Sequence, residues 1–222
     1  MSKDFQGRPP GPTVQPDSDA SSLAAFEAYW RKMRRGAIVP RRSDIDPRGI
    51  EDLLSNAFIA ERIAPGLARL RIAGGHLTDL MGMEVRGMPI SAFLEPGARD
   101  ELAGHLVWLF DHPATLRLSL ISAARPGAPE LKGALLMMPL RSDLGDISRA
   151  LGCLISTGAI GRGPRRFEIA QATVTPLESS ANPDASPRLL PAEPERAENA
   201  RLPKTAPARR ASERPYLRLV KS

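Results

Sequence analysis

The stretch NAFIAERIAPGLARLRIAG, Asn56–Gly74, decides how this chain folds. Two runs of apolar and long side chains flank Pro65-Gly66, a dipeptide that marks a tight turn. The second run alternates, so Leu70 and Ile72 are expected on one side and Arg69 and Arg71 on the other. The pattern predicts an antiparallel hairpin with one face on a core.

Ahead of the hairpin lies VPRRSDIDPRGIEDLLS (39–55), the densest charged cluster near the front of the chain. Asp46 before Pro47 reads as a helix N-cap followed by a first helical residue, where proline's missing N–H costs nothing. Asp44 is placed to pair with Arg41 or Arg42. A catalytic centre would need these carboxylates beside a nucleophile, metal or substrate, and no such partner accompanies them. Carboxylates at a helix start suit the dipole, so the cluster reads as architecture. The competing reading is an interaction surface made by Arg41, Arg42 and Arg48. Further upstream, SSLAAFEAYWRKMRRG (21–36) carries Leu23, Phe26, Trp30 and Met33 at helical spacing, with Gly36 placed to end a helix over 22–35.

After the hairpin, GGHLTDLMGMEVRGMPISAFL (74–94) predicts short helical pieces broken by glycines and Pro89. A longer helix follows in GARDELAGHLVWLFDH (97–112), with Leu102, Leu106, Leu109 and Phe110 on one face. Three strand-like runs come next. ATLRLSLISA places Leu116, Leu118 and Leu120 on one side, whereas ELKGALLMMPLR and RALGCLIST are apolar on both faces and demand cover on both. The chain thus divides into a disordered tail over 1–21, one domain over 22–175 and a second disordered tail over 176–222. The last of these is too rich in Pro, Ala and charge to support a core.

The totals narrow the function. The chain has 222 residues, 42% of them apolar, and 22 prolines. Its net charge of +6 is spread out: beyond residue 177, nine Lys/Arg face six Asp/Glu, a net +3. With no dense basic run interleaved with aromatics, nucleic acid is not an expected partner. Cys153 is the only cysteine, which excludes an intrachain disulfide and a cysteine-built zinc site. The first residues have no apolar core of the kind a signal peptide needs, and no run is long enough to span a bilayer. The expected compartment is the cytoplasm.

Strand, strand, short helices, longer helix, three strands: this order resembles a PAS domain. The chain is similar to short bacterial proteins built from a single PAS domain. The residues that carry the resemblance are YWRKMRRGAIVPRRSDIDPRGIEDLLSNAFIAER, LRIAGGHLTDLMGMEVRGMPISAFL, LLMMPLRSD and RALGCLIS. It implies an α+β fold with a five-stranded antiparallel sheet in the order 2-1-5-4-3. Helices are inserted between strands 2 and 3, and a helix precedes the first strand. It also implies sensing or docking rather than catalysis, with a small apolar ligand or a regulatory protein as the input or output. A hollow between the sheet and the long helix would be lined by Leu70, Ile72, Met81, Leu102, His105, Leu106, Leu109, Leu118 and Leu120. Leu23, Phe26, Trp30 and Met33 would pack on the outer sheet face or on the same helix of a second copy, giving a homodimer.

The remaining candidates weigh less. Some PAS sensors hold haem through a histidine on the long helix, which singles out His105, yet a histidine on an apolar face is more often a hydrogen-bonded core residue. The Asn-Cys-Arg-Phe-Leu-Gln motif of light-sensing PAS domains is absent, and Cys153 sits in a predicted inner strand. No cofactor and no metal are therefore expected. His76 and Asp79, three apart, read as a surface pair or turn cap, and His112 as a loop residue. Arg162 and Arg166 have a spacing seen in cyclic-dinucleotide-binding PilZ domains, but the companion motif is missing downstream. The turn around them reads as basic and solvated. Met81, Met83, Met88, Met137 and Met138 either line an adaptable pocket or fill the core. The terminal PYLRLVKS (215–222) is a candidate docking motif.

Overall fold

The computed structural model describes residues 16–177. Helix α1 spans Pro16–Met33, and two 3-10 segments follow at Arg42–Asp44 and Pro47–Leu53. Strands β1 (Ala57–Ala64) and β2 (Leu67–Ala73) form the hairpin. Helix α2 (Gly75–Met81), 3-10 turns at Ile90–Phe93 and Pro96–Ala98, and helix α3 (Arg99–Asp111) then cross to one face of the sheet. Strands β3 (Ala114–Ser122), β4 (Leu131–Arg141), β5 (Ile147–Thr157) and β6 (Glu168–Pro176) complete it.

All strands pair antiparallel in the order β2-β1-β5-β4-β3-β6. The expected five-strand order 2-1-5-4-3 is thus present, extended by a sixth strand beside β3. Strand β6 escapes a sequence reading because its outward positions are Thr, Gln and Glu, and Pro176 closes it. Helix α1 also begins at Pro16 rather than at 22, since its first turn carries no apolar stripe to betray it.

Two cores share the sheet. The inner one joins Phe58, Leu70, Leu116, Leu118, Met137 and Leu154 from the strands to Leu77, Leu80 and the buried face of α3. The outer one joins Leu136, Met138 and Leu140 of β4 and Leu151, Cys153 and Ile155 of β5 to Leu23, Phe26 and Trp30 of α1. This is why β4 and β5 are apolar on both faces. Helix α1 lies on the outer face, with the Trp30 indole donating to the Pro139 carbonyl at 3.1 Å. Glu27 extends the hold by pairing with Arg117 of β3 at 3.0 Å. The stripe Leu23/Phe26/Trp30 is therefore buried within its own chain, the first of the two alternatives, and is not a free surface.

The charged cluster does what its chemistry suggested. The Asp46 carboxylate accepts from the Arg48 N–H at 3.0 Å as the N-cap of the second 3-10 segment. Asp44 accepts from the Arg41 backbone N–H at 2.9 Å instead of pairing with a guanidinium. The hairpin edge is closed by a loop, since the Leu70 N–H donates to the Met88 carbonyl and the Gly87 N–H to the Leu70 carbonyl, each at 2.8 Å. Such cover protects an edge strand from pairing with other chains.

Candidate functional site: a packed inner core and an open outer cleft

Helix α3 packs against the inner sheet face because its apolar side chains recur at three- and four-residue spacing. Leu102, Leu106 and Leu109 of this helix meet Leu70, Met81, Leu118 and Leu120, all buried in one cluster. Eight of the nine residues expected around an inner hollow thus stand on one side, His105 among them. The ninth, Ile72, does not. Between the pairs Ile59↔Ile72 and Ala60↔Leu70 the strand carries one extra residue, Arg71. That bulge turns Ile72 onto the outer face, where it is 52% exposed. A bulge reverses the facing of everything beyond it, so alternation alone misplaced this residue.

His105 is 5% exposed, and neither ring nitrogen has a hydrogen-bond partner. Its nearest charged group is the Glu101 carboxylate, 3.5 Å from Nε2 and too distant for a good hydrogen bond. At the C-terminal end of α3, Arg62 of β1 makes a forked ion pair with Asp111, and its guanidinium lies 5.8 Å from the Phe110 ring centre. The Arg62 hydrogen bond is the main reason the Asp111 carboxyl stays below the usual carboxylate range. This clasp fixes α3 to the hairpin. His112 caps α3 and rests on Trp108, with ring centres 4.5 Å apart.

On the opposite face a cleft of about 130 Å³ opens between the 3-10 segments and the β1–β2 hairpin. Ile45, Ile50, Leu54, Ile59, Ile72 and Leu151 are among its walls, with Arg42 beside them. Helix α1 covers β4 and β5 and touches the second 3-10 segment, but none of its residues lines the cleft. The methionines divide between the faces: Met81 and Met137 are inner, Met138 is outer, Met88 is partly buried and Met83 is exposed.

Arg165 was not singled out in the sequence. It lies in the stretch taken as a solvated basic turn, yet it is 0% exposed. Its guanidinium donates to the carbonyls of Pro129 (2.6 Å), Ile160 (3.0 Å) and Ser122 (3.3 Å) and to the Ser122 hydroxyl (3.2 Å). Among the described residues no carboxylate pairs with it. Burial first, then the like charge on Arg125, lowers its pKa from the ordinary guanidinium value. Nothing in Gly-Arg-Gly-Pro-Arg-Arg announces this, because burial comes from the loops that fold over it. Of the pair with the PilZ-like spacing, Arg162 stays exposed and Arg166 is half-buried.

His76 is half-buried, with Nε2 3.1 Å from the Ser156 hydroxyl. Burial pulls its pKa below the usual imidazole value, and the charge of Asp79 pulls the other way. Cys153 faces the outer core, and burial pushes its thiol up to about 12, leaving it protonated and unreactive. Among the described residues no group of three or more His, Cys, Asp or Glu gathers to hold a metal ion. No helix among them is long and apolar enough to cross a membrane.

A sheet with helices between its second and third strands, an inner core under α3 and an N-terminal helix on the outer face define a PAS-type module. The model of the PAS domain family matches residues 18–155. This chain belongs to that family. No curated protein matches it. Among solved structures, it is similar to the light state of the blue-light photoreceptor Aureochrome1 LOV, at 15% identity over 50% of this chain and 88% of that chain, with a TM-score of 0.36. A structure from a study of a flavin analogue in a Light-Oxygen-Voltage domain matches at 17% identity over 50% of this chain and 83% of that one, with a TM-score of 0.36. An RNA-binding Light-Oxygen-Voltage receptor matches at 18% identity over 68% of this chain and 36% of that one, with a TM-score of 0.34.

Proposed function

We propose that this PAS domain is a non-catalytic regulatory module that acts by contact with another protein in the cytoplasm. The observation that carries the reading is the uneven cover of the outer sheet face. Helix α1 buries β4 and β5, while Leu54 and Ile72, which flank the cleft at the open end of the hairpin, stay 41% and 52% exposed. Exposed apolar side chains gathered at one corner mark interaction sites. The inner core supplies the sensing side: a small apolar ligand entering beside α3 would shift that helix, and the Arg62–Asp111 clasp would pass the shift to the hairpin.

The test is affinity capture from the source cell with the full chain and with the Leu54→Glu/Ile72→Glu variant, followed by mass spectrometry. A partner retained by the first and lost by the second supports the reading. An identical set of captured proteins overturns it. A homodimer is a partner of the same kind and would appear in light scattering as a dimer lost in the variant. The terminal motif 215–222 lies outside the described residues. Deleting it separates its contribution from that of the hairpin corner.

A second reading, a haem sensor, has one observation in its favour: the two unpartnered ring nitrogens of His105. Against it stand Leu102, Leu106 and Leu109, packed at 1% exposure or less beside it. A Soret band on addition of haemin, absent in His105→Leu, would support haem. A spectrum that shows only free haemin rejects it.

A further inference from the structure

Arg42 gives the outer cleft a chemistry of its own. It is half-buried in the wall of an otherwise apolar space. Among the described residues its guanidinium has no ion pair and no hydrogen bond. The two carboxylates nearest in sequence are engaged, Asp44 with the Arg41 N–H and Asp46 with the Arg48 N–H. A guanidinium partly withdrawn from water without an anion is held at a cost, and a carboxylate that reaches it gains paired, charge-assisted hydrogen bonds. Around it, Ile45, Ile50, Leu54, Ile59 and Ile72 offer apolar surface to whatever carries that carboxylate.

Size limits the candidates. A cavity of about 150 Å³ lined by Leu, Ile and Phe accepts a benzene-sized guest. The present cleft of about 130 Å³ therefore suits an apolar group of about six carbons, and its open mouth lets a somewhat longer chain protrude. A phosphate would find one cation only. A strand from a partner would find the β2 edge already covered by residues 87–89.

We propose that the cleft binds a short apolar carboxylate, its carboxylate on Arg42 and its hydrocarbon between the 3-10 segments and Ile59, Ile72 and Leu151. The ligand would bridge the segment over 42–53 to the hairpin. That segment is joined to α1 through Tyr29 and Asp46, so occupancy would be felt along the helix. The proposal goes beyond the regulatory reading and does not depend on which protein is contacted.

Sodium octanoate titrated into the full chain by isothermal calorimetry tests it, with octanol as the uncharged control. The expected result is saturable binding of one octanoate at about 1 mM or tighter. Arg42→Gln should weaken octanoate by about tenfold while leaving octanol within about twofold, since only the charged contact is removed. Ile72→Glu should abolish both, and because Ile72 is exposed the variant keeps its melting temperature. Three results overturn the proposal: no saturable binding by the parent chain, equal octanoate affinity in Arg42→Gln, or a dimer that Ile72→Glu dissociates and octanoate does not, which would give the cleft to a second copy.

Discussion

Tyr29 and Asp46 are joined twice: the phenol donates to the Asp46 carbonyl and accepts from the Asp46 N–H, both at 2.8 Å. One hydroxyl on α1 thereby satisfies both backbone groups of the residue that caps the second 3-10 segment. Removing it in Tyr29→Phe is expected to cost about 1 kcal/mol, because water can replace part of what is lost at this exposed junction. Urea denaturation measures it. No change would mean that the hydroxyl does not hold the segment.

Gly49 lies against the Cε2 side of the same ring, where an added Cβ would collide with Tyr29. Gly49→Ala should destabilise by about 1–3 kcal/mol, the usual range for overpacking. In a Tyr29→Ala background the collision has no partner, so the penalty should largely vanish. A double-mutant cycle without coupling would place the strain elsewhere.

Arg165 is held by three carbonyls and a hydroxyl rather than by a carboxylate. Lysine keeps the charge but cannot reach such a fork of acceptors. Arg165→Lys is expected to lose about 2–4 kcal/mol, read as a lower denaturation midpoint. A loss under about 0.5 kcal/mol, the scatter of ordinary surface changes, would show that the guanidinium geometry is immaterial.

His105 makes the opposite prediction. Its ring nitrogens are buried without partners, and an unsatisfied buried donor costs about 1–3 kcal/mol. His105→Leu should therefore stabilise the domain by about 1 kcal/mol. Destabilisation instead would reveal a partner for the imidazole, and with it a role.

His76 sets an acid dependence. Its folded pKa lies below its unfolded value, so its neutral form is the one the fold prefers. The contribution is whole above the unfolded value of about 6.5 and is lost as pH falls through the folded value. His76→Gln keeps a partner for Ser156 but cannot titrate. Between pH 7 and about 5 its stability should fall less than that of the parent. Parallel curves in thermal scans across that window would rule this out.

The strands were legible because each of their signals is local, whereas their order in the sheet came from the resemblance to PAS domains. Alternation marks β3, two-faced apolarity marks β4 and β5, and Pro65-Gly66 marks the hairpin. Leu102, Leu106 and Leu109 likewise announced the buried face of α3. What could not be read depends on non-local geometry. The bulge at Arg71 moves Ile72 to the other face, yet an extra residue in a ladder has no signature in the strand itself. Arg165 is buried by loops distant in sequence, and its neighbours look solvated. The outer cleft exists because α1 reaches β4, β5 and the second 3-10 segment but not the space between that segment and the hairpin, a matter of where the helix lies rather than what it contains.

Pro139 bears on how the module could be watched at work. The β3–β4 register stops at Leu116↔Met137, two positions before this proline, and the carbonyl beyond the end of that ladder takes the Trp30 indole proton. The end of β4 stays paired only to β5 there, so a disturbance that shifts it away from α1 would release the Trp30 indole in the same event. The exchange of that single indole proton with deuterated solvent would time the release, giving a spectroscopic clock for communication between the two faces.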